Sequence, residues 1–176
     1  MSGPAHPGPA ATRRHHLGGD RVLGFAVLSV SDTHTEDDDP SGHLARDLLA
    51  QGGHEVRHYG LVANSVADVR DRLDPWLAEP AVEAAVTVGG TGVSSRDLTV
   101  NALEAMGGRK LEGFGEIYRT VSYAEVGALA IISRASLFLV RNKPVFALPG
   151  SERAVRTAIE KLILPAAIHL VEELER

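Results

Sequence analysis

The sequence predicts a single α/β domain in which a mostly parallel sheet is covered by helices on both faces. Val22–Val30 is a near-continuous apolar run, as strands buried on both sides require, and Val82–Val88 is a second, mostly apolar one. These runs alternate with segments of helical periodicity, the pattern of parallel strands joined by crossover helices. Gly and Pro punctuate the junctions. With 176 residues, 44% of them hydrophobic and 23% charged, the chain can bury one core without staples.

The first strand, Val22–Val30, runs into Ser31-Asp32-Thr33 and the acidic stretch Glu36–Asp39. Ser41 is expected to cap a helix from Gly42 to Gln51, which stops at Gly52-Gly53. His54–Val62 reads as the second strand. Ser65 with Asp68 forms a capping-box pattern and opens a helix through Leu77. Val82–Val88 is the third strand. A short helix is expected from Thr99 to Met106, stopped by Gly107-Gly108. A longer one is expected from Phe114 to Ala130, with Phe114, Ile117, Val121 and Val126 on one side. Leu137–Val140 and Pro144–Leu148 read as strands joined by a turn at Arg141-Asn142-Lys143. The last helix spans Glu152–Glu173, and Pro165, which has no amide donor, should kink or divide it.

Residues 1–20 are rich in Gly, Pro, Ala and His, so they are expected to form a flexible tail ahead of a domain at residues 21–176. His6, His15 and His16 in that tail are read as solvated. The net charge is −5 with a pI near 5.9, and no basic stripe is visible, which argues against a nucleic-acid partner. The absence of Cys excludes disulfides, a thiolate zinc site and thiol catalysis, and fits a reducing cytoplasm. No apolar run reaches the roughly 18 residues of a membrane span, so no membrane partner is expected. Arg13-Arg14 is not followed by the apolar core of an export signal. His43, His54, His58 and His169 lack metal-ligand spacing.

In parallel α/β sheets ligands bind beyond the carboxyl ends of the strands. The unusual residues sit there, in Ser31–Thr33, Gly89–Asp97 and Leu148–Ser151. The middle loop reads Gly89-Gly90-Thr91-Gly92-Val93-Ser94-Ser95-Arg96-Asp97 directly after a buried strand. Its glycines permit positive φ and close approach of a ligand. Successive amides can form an anion nest, Thr91, Ser94 and Ser95 add hydroxyls, and Arg96 adds charge. A helix start near Thr99 would add its positive dipole end. A Walker A ending is missing, and the spacing is not GxGxxG. A turn that only reverses the chain, with Asp97 or Thr99 as an ordinary cap, is the other reading of the same glycines. A carboxylate such as Asp97 beside a phosphate nest calls for a cation, and Mg²⁺ bridges carboxylates to phosphates.

The ordered set of motifs resembles the MoaB/Mog family of molybdenum-cofactor biosynthesis proteins, with a texture closer to the MoaB branch. It comprises Leu28-Ser29-Val30-Ser31-Asp32, Ser41-Gly42, Gly89-Gly90-Thr91-Gly92 with Ser95-Arg96-Asp97, Glu112-Gly113-Phe114-Gly115-Glu116, Ser133-Arg134 and Leu148-Pro149-Gly150-Ser151. It spans Gly24 to Leu174.

The resemblance implies a three-layer α/β/α sandwich that assembles as a homotrimer or hexamer. It implies binding of the pterin phosphate molybdopterin, with Mg²⁺ and ATP as co-substrate. Active members transfer AMP from ATP to the terminal phosphate of molybdopterin. The phosphate would lie on Gly89, Gly90, Thr91 and Gly92 with Ser95 and Arg96. Pro149, Gly150 and Ser151 would border it, Ser31 and Asp32 would line the same cleft, and Asp97 would hold the metal.

Two positions depart from the family pattern. Asn64 stands where catalytic members carry an acidic residue after the second strand, and Asn101 stands at a second acidic position. Asn64 is kept as a catalytic candidate with Asp97. Arg96 or Arg134 would offset charge developing in the transfer, for which positioning and electrostatics dominate. The same substitutions also fit a non-catalytic carrier of molybdopterin or a structural oligomer. Leu111–Phe114 and Tyr118 are expected, by analogy, at a subunit contact.

Overall fold

The structure, a computed structural model, describes residues 21–176; the expected tail and its histidines lie outside the described residues. In chain order the strands are β1 (Gly24–Val30), β2 (Glu55–Val62), β3 (Ala84–Val88), β4 (Arg109–Leu111), β5 (Ser136–Val140) and β6 (Lys143–Leu148). The helices are α1 (Pro40–Gln51), α2 (Val66–Ala78), α3 (Thr99–Ala105), α4 (Glu112–Val126), α5 (Glu152–Ala158) and α6 (Leu164–Leu174). One six-stranded sheet has the order β2-β1-β3-β6-β5-β4. The pairs β2/β1, β1/β3 and β3/β6 are parallel, while β5 runs antiparallel to both β6 and β4. The sheet is therefore mixed, and parallel where the central strands lie.

Every residue of β1 is buried, because alternate side chains enter two different cores. Phe25 and Val27 pack with α1, α4, α5 and α6, whereas Ala26 and Leu28 pack with α2 and α3. This places helices on both faces, as expected. The edge strand β2 is only partly covered, with Glu55 and Arg57 exposed and Gly60 alone buried.

Several local expectations are corrected. Asp39, not Ser41, caps α1: its Oδ1 accepts from the Gly42 amide at 3.0 Å, and Pro40 opens the helix. The expected helix over 114–130 begins at Glu112 and ends at Val126. Gly127 has φ 59°, and a 3₁₀ turn follows over Gly127–Ile132. Its fully buried residues are Gly115, Tyr118 and Ser122; of the expected stripe Phe114 packs against the core, whereas Ile117 is 55% exposed. Arg141 and Asn142, with φ 52° and 60°, form a two-residue β5–β6 turn of the primed kind, and Lys143 belongs to β6. β4 is a short Arg-Lys-Leu segment without an apolar run, so no strand was expected there.

The expected break at Pro165 is realised as a π turn over Ile159–Ile163, with Pro165 in the first turn of α6. Without an amide at 165, an α-helical partner for the Lys161 carbonyl is lost, and a wider turn accommodates the change.

Candidate anion-binding cleft

The loops leaving β1, β2, β3 and β6 converge on a cleft of about 640 Å³. Ser31 and Asp32 enter it from β1, and Asn64 from β2. Gly89, Gly90, Thr91, Gly92, Arg96 and Asp97 enter from β3, and Pro149, Gly150 and Ser151 from β6. The expected site residues are thus brought together from four separate loops. Ser95 is the exception: it is exposed and does not line the cleft.

The glycine loop is held in one conformation by its neighbours. Gly89 and Gly90 have φ 100° and 65°. A Cβ at Gly89 would stand 2.3 Å from the Val30 carbonyl oxygen. One at Gly90 would stand 2.3 Å from Thr99 Oγ1 and 2.7 Å from Asn64 Oδ1. Only glycine meets both the torsional and the steric demand. Thr99 Oγ1 donates to the Gly89 carbonyl at 2.7 Å, and the Thr99 amide donates to the Gly90 carbonyl at 3.1 Å. Asn64 Oδ1 accepts from the Leu98 amide at 3.0 Å, while the Asn64 backbone N–H donates to Asp32 Oδ1 at 2.8 Å. Asn64 therefore ties three loops together.

α3 is preceded by Leu98 and has no side-chain cap, so neither Asp97 nor Thr99 caps it. Of the amides at that helix start, those of Leu98 and Thr99 are already bonded.

Thr91 is 2% exposed, and its Oγ1 has no protein partner although it lines the cleft; Ser29 Oγ is in the same position. A buried hydroxyl without a partner costs about 1–3 kcal/mol. At the cleft wall both hydroxyls are open to an acceptor from outside the protein.

Asp97 Oδ2 accepts from the Ser94 amide at 2.8 Å, whereas Oδ1 makes no hydrogen bond to described residues. No group of three His, Cys, Asp or Glu able to hold a metal occurs among the described residues. Mg²⁺ commonly takes one or two carboxylates and fills the rest of its shell with water and phosphate oxygens. Asp97, with Asp32 on the same cleft, suits that kind of site.

Arg134 does something the sequence did not reveal. Its Nε donates to the Gly92 carbonyl at 2.7 Å, and its Nη atoms donate to the Asp97 carbonyl and Asn101 Oδ1. Its amide donates to the Thr91 carbonyl at 2.9 Å. Three of its donors thus brace the loop from behind. Arg96 remains exposed on the cleft, with no side-chain hydrogen bond to described residues.

The other end of the cleft was also not legible. Tyr118, expected at a subunit contact, is 3% exposed and lines the cleft with Ser122, Glu125, Leu129 and Arg153. Burial pushes the Tyr118 hydroxyl up in pKa. Hydrogen bonds from Lys161 and then Thr157 hold the Glu125 carboxyl below its usual range. At the mouth, Ser31 Oγ accepts from the Thr33 and His34 amides at 3.2 and 3.1 Å and lies 3.0 Å from His34 Nδ1.

The fold and cleft define an α/β protein with a glycine-rich cleft at the carboxyl edge of its parallel strands. The profile of the family described as "probable molybdopterin binding domain" matches residues 26–169. Molybdenum cofactor biosynthesis protein B of Staphylococcus carnosus (strain TM300) is 42% identical over 160 residues, covering 89% of this chain and 94% of that protein. A crystal structure of a molybdenum cofactor biosynthesis protein B superposes with a TM-score of 0.85 at 37% identity, covering 90% of this chain and 99% of the other. The tungsten cofactor synthesizing protein MoaB from Pyrococcus furiosus gives a TM-score of 0.80 at 30% identity, covering 89% and 99%. The chain belongs to the molybdopterin-binding-domain family of molybdenum-cofactor biosynthesis proteins, on its MoaB side.

Proposed function

We propose that this protein binds molybdopterin with its terminal phosphate in the Gly89–Gly92 loop and transfers AMP to that phosphate from Mg²⁺-bound ATP. The observation that carries the reading is the unpartnered Thr91 hydroxyl in a loop whose backbone is already fixed. The amides of Gly90–Gly92 and the Thr91 hydroxyl hold the nucleophilic phosphate. Arg96, exposed at the rim, meets the incoming triphosphate. Asp97 and Asp32 would hold Mg²⁺, which when bound neutralises charge on the leaving pyrophosphate. Because Asn64 and Arg134 fix the loop beforehand, little reorganisation accompanies alignment of the phosphate with the α-phosphorus.

The test is Mg²⁺-dependent pyrophosphate release from ATP with and without molybdopterin. Pterin-dependent release supports the reading, and Asp97→Asn should lower it by about 100-fold, roughly 3 kcal/mol on the barrier. Tight pterin binding without release supports the second reading, a non-catalytic carrier. Asn64 favours that reading, because its Oδ1 is committed to the Leu98 amide. The protein is further proposed to work in the cytoplasm as a homotrimer or hexamer. The exposed apolar residues Ile117, Tyr123 and Ile131 would lie between subunits, which the mass in solution tests. Among the described residues no helix is long and apolar enough to cross a membrane.

A further inference from the structure

The cleft holds a further acidic side chain, apart from Asp32, Asp39 and Asp97. Glu125 lines the cleft from α4, away from the glycine loop in sequence and in chemistry. Its carboxylate is anchored from behind: Lys161 Nζ donates to Oε1 at 2.8 Å, and Thr157 Oγ1 lies 3.1 and 3.0 Å from the two oxygens. A carboxylate has about four acceptor sites, so both oxygens retain capacity toward the cleft. Val126, Leu129 and Ile132 form an apolar wall beside it, with Leu129 68% and Ile132 49% exposed. A fixed acceptor pair next to an apolar wall suits a flat heterocycle that presents two adjacent N–H donors along one edge. Beyond the wall, the Arg134 amide and side chain tie the chain after the 3₁₀ turn to Thr91 and Gly92, so the ring end and the phosphate end keep a fixed spacing.

We propose that Glu125 reads the amino and ring N–H edge of a 2-amino-4-oxopyrimidine ring, and that the ring is the pterin. This rests on the reading of the cleft as a pterin-phosphate site, and it deepens that reading by naming the group that selects the ring. Adenine presents one amino donor beside a ring acceptor on its corresponding edge, which leaves one carboxylate oxygen facing a lone pair. The ATP base is therefore excluded from this end. Guanine carries the same donor pair as a pterin, so the bicyclic frame on the Val126–Leu129 wall must separate the two. Glu125 is a specificity residue here, and no bond is made or broken at it.

The experiment uses the whole protein and small fragments without a phosphate. 6-Hydroxymethylpterin is titrated calorimetrically against 6-hydroxymethyllumazine, in which a 2-oxo group replaces the 2-amino donor, and against guanosine. The wild-type protein should prefer the pterin over the lumazine by about tenfold or more, since a site built for a donor rejects the analogue that lacks it. Glu125→Gln should collapse that preference to within about twofold while leaving the affinity for pyrophosphate, read separately, unchanged.

Equal wild-type affinities for pterin and lumazine, no fragment binding at all, or retained selectivity in Glu125→Gln would each overturn the proposal. Tighter binding of guanosine than of the pterin would overturn the assignment of the ring. If Glu125→Gln does not fold, the wild-type comparison alone decides. Pterin selectivity without any binding of pyrophosphate or intact molybdopterin would sink the phosphate reading and leave Glu125 in its role; the reverse pattern would do the opposite.

Discussion

Replacing Arg134 with Ala should loosen the glycine loop from behind without touching a ligand. The substitution removes side-chain donors to the Gly92 carbonyl, the Asp97 carbonyl and Asn101 Oδ1. The bonds to Gly92 and Asp97 are partly buried, and the one to Asn101 is exposed. Each charge-assisted bond is worth about 1.5–3 kcal/mol when buried, and less at a wet rim. A total of about 2–3 kcal/mol follows once the Asn101 bond is discounted. For a chain of this size that is about 4–12 °C in melting temperature. Arg134→Lys should recover only a minor part, because one ammonium cannot span three divergent acceptors. Thermal denaturation of the two variants, together with a pyrophosphate titration, reads both consequences. A melting temperature within about 2 °C of wild type would refute the brace, since it would mean that the loop holds its shape without the guanidinium.

Gly90→Ala should destabilise the fold by about 2–4 kcal/mol in denaturant unfolding, combining a left-handed backbone with the loss of the Thr99 or Asn64 bond beside it. His54 gives a pH signature. Burial lowers its pKa, its Nδ1 accepts from the Leu23 amide at 3.3 Å, and its ring lies 5.3 Å from that of Phe25. The unfolded chain binds a proton at His54 more readily than the folded one, so stability rises with pH. This contribution is complete above the ordinary His pKa of about 6.5 and is lost as pH falls below it. His54→Gln should flatten the decline in unfolding free energy between about pH 7.5 and 5.5, and an unchanged slope would remove His54 as its cause. Asn64→Asp should keep the acceptor for the Leu98 amide, leave stability within about 1 kcal/mol, and raise Mg²⁺ affinity if the metal lies nearby. Isothermal titration with Mg²⁺ and a nucleotide measures that.

The strands that build the sheet were legible because buried parallel strands leave uninterrupted apolar runs. β1, β3 and the β5–β6 pair carry little else. β4 escaped because a three-residue Arg-Lys-Leu strand is defined by its partner Leu137–Leu139 and not by its own pattern. The cap of α1 was misplaced by two residues. Both Asp39 and Ser41 are capping types, and only the fold shows that Ser41 Oγ is taken by the Gly150 carbonyl at 2.6 Å. At the candidate site, the Gly89–Gly92 loop was legible because its glycines directly follow a buried strand. The bracing contacts of Arg134 and the place of Glu125 were not. Each acts across a large sequence separation, 42 residues from Arg134 to Gly92 and 36 from Lys161 to Glu125, and each belongs to a residue type that usually lies in a solvated face. The loop motif marked the proposed phosphate end of the cleft, whereas the proposed ring end required the packing of α4 against α5.

The most direct measurement is an anaerobic calorimetric titration of the full chain with molybdopterin, repeated with Gly90→Ala. The cleft account predicts saturable binding at one pterin per chain, competed by pyrophosphate and weakened at least tenfold by Gly90→Ala in protein that remains folded. Binding that is absent, or that survives both pyrophosphate and a side chain at Gly90, would contradict it.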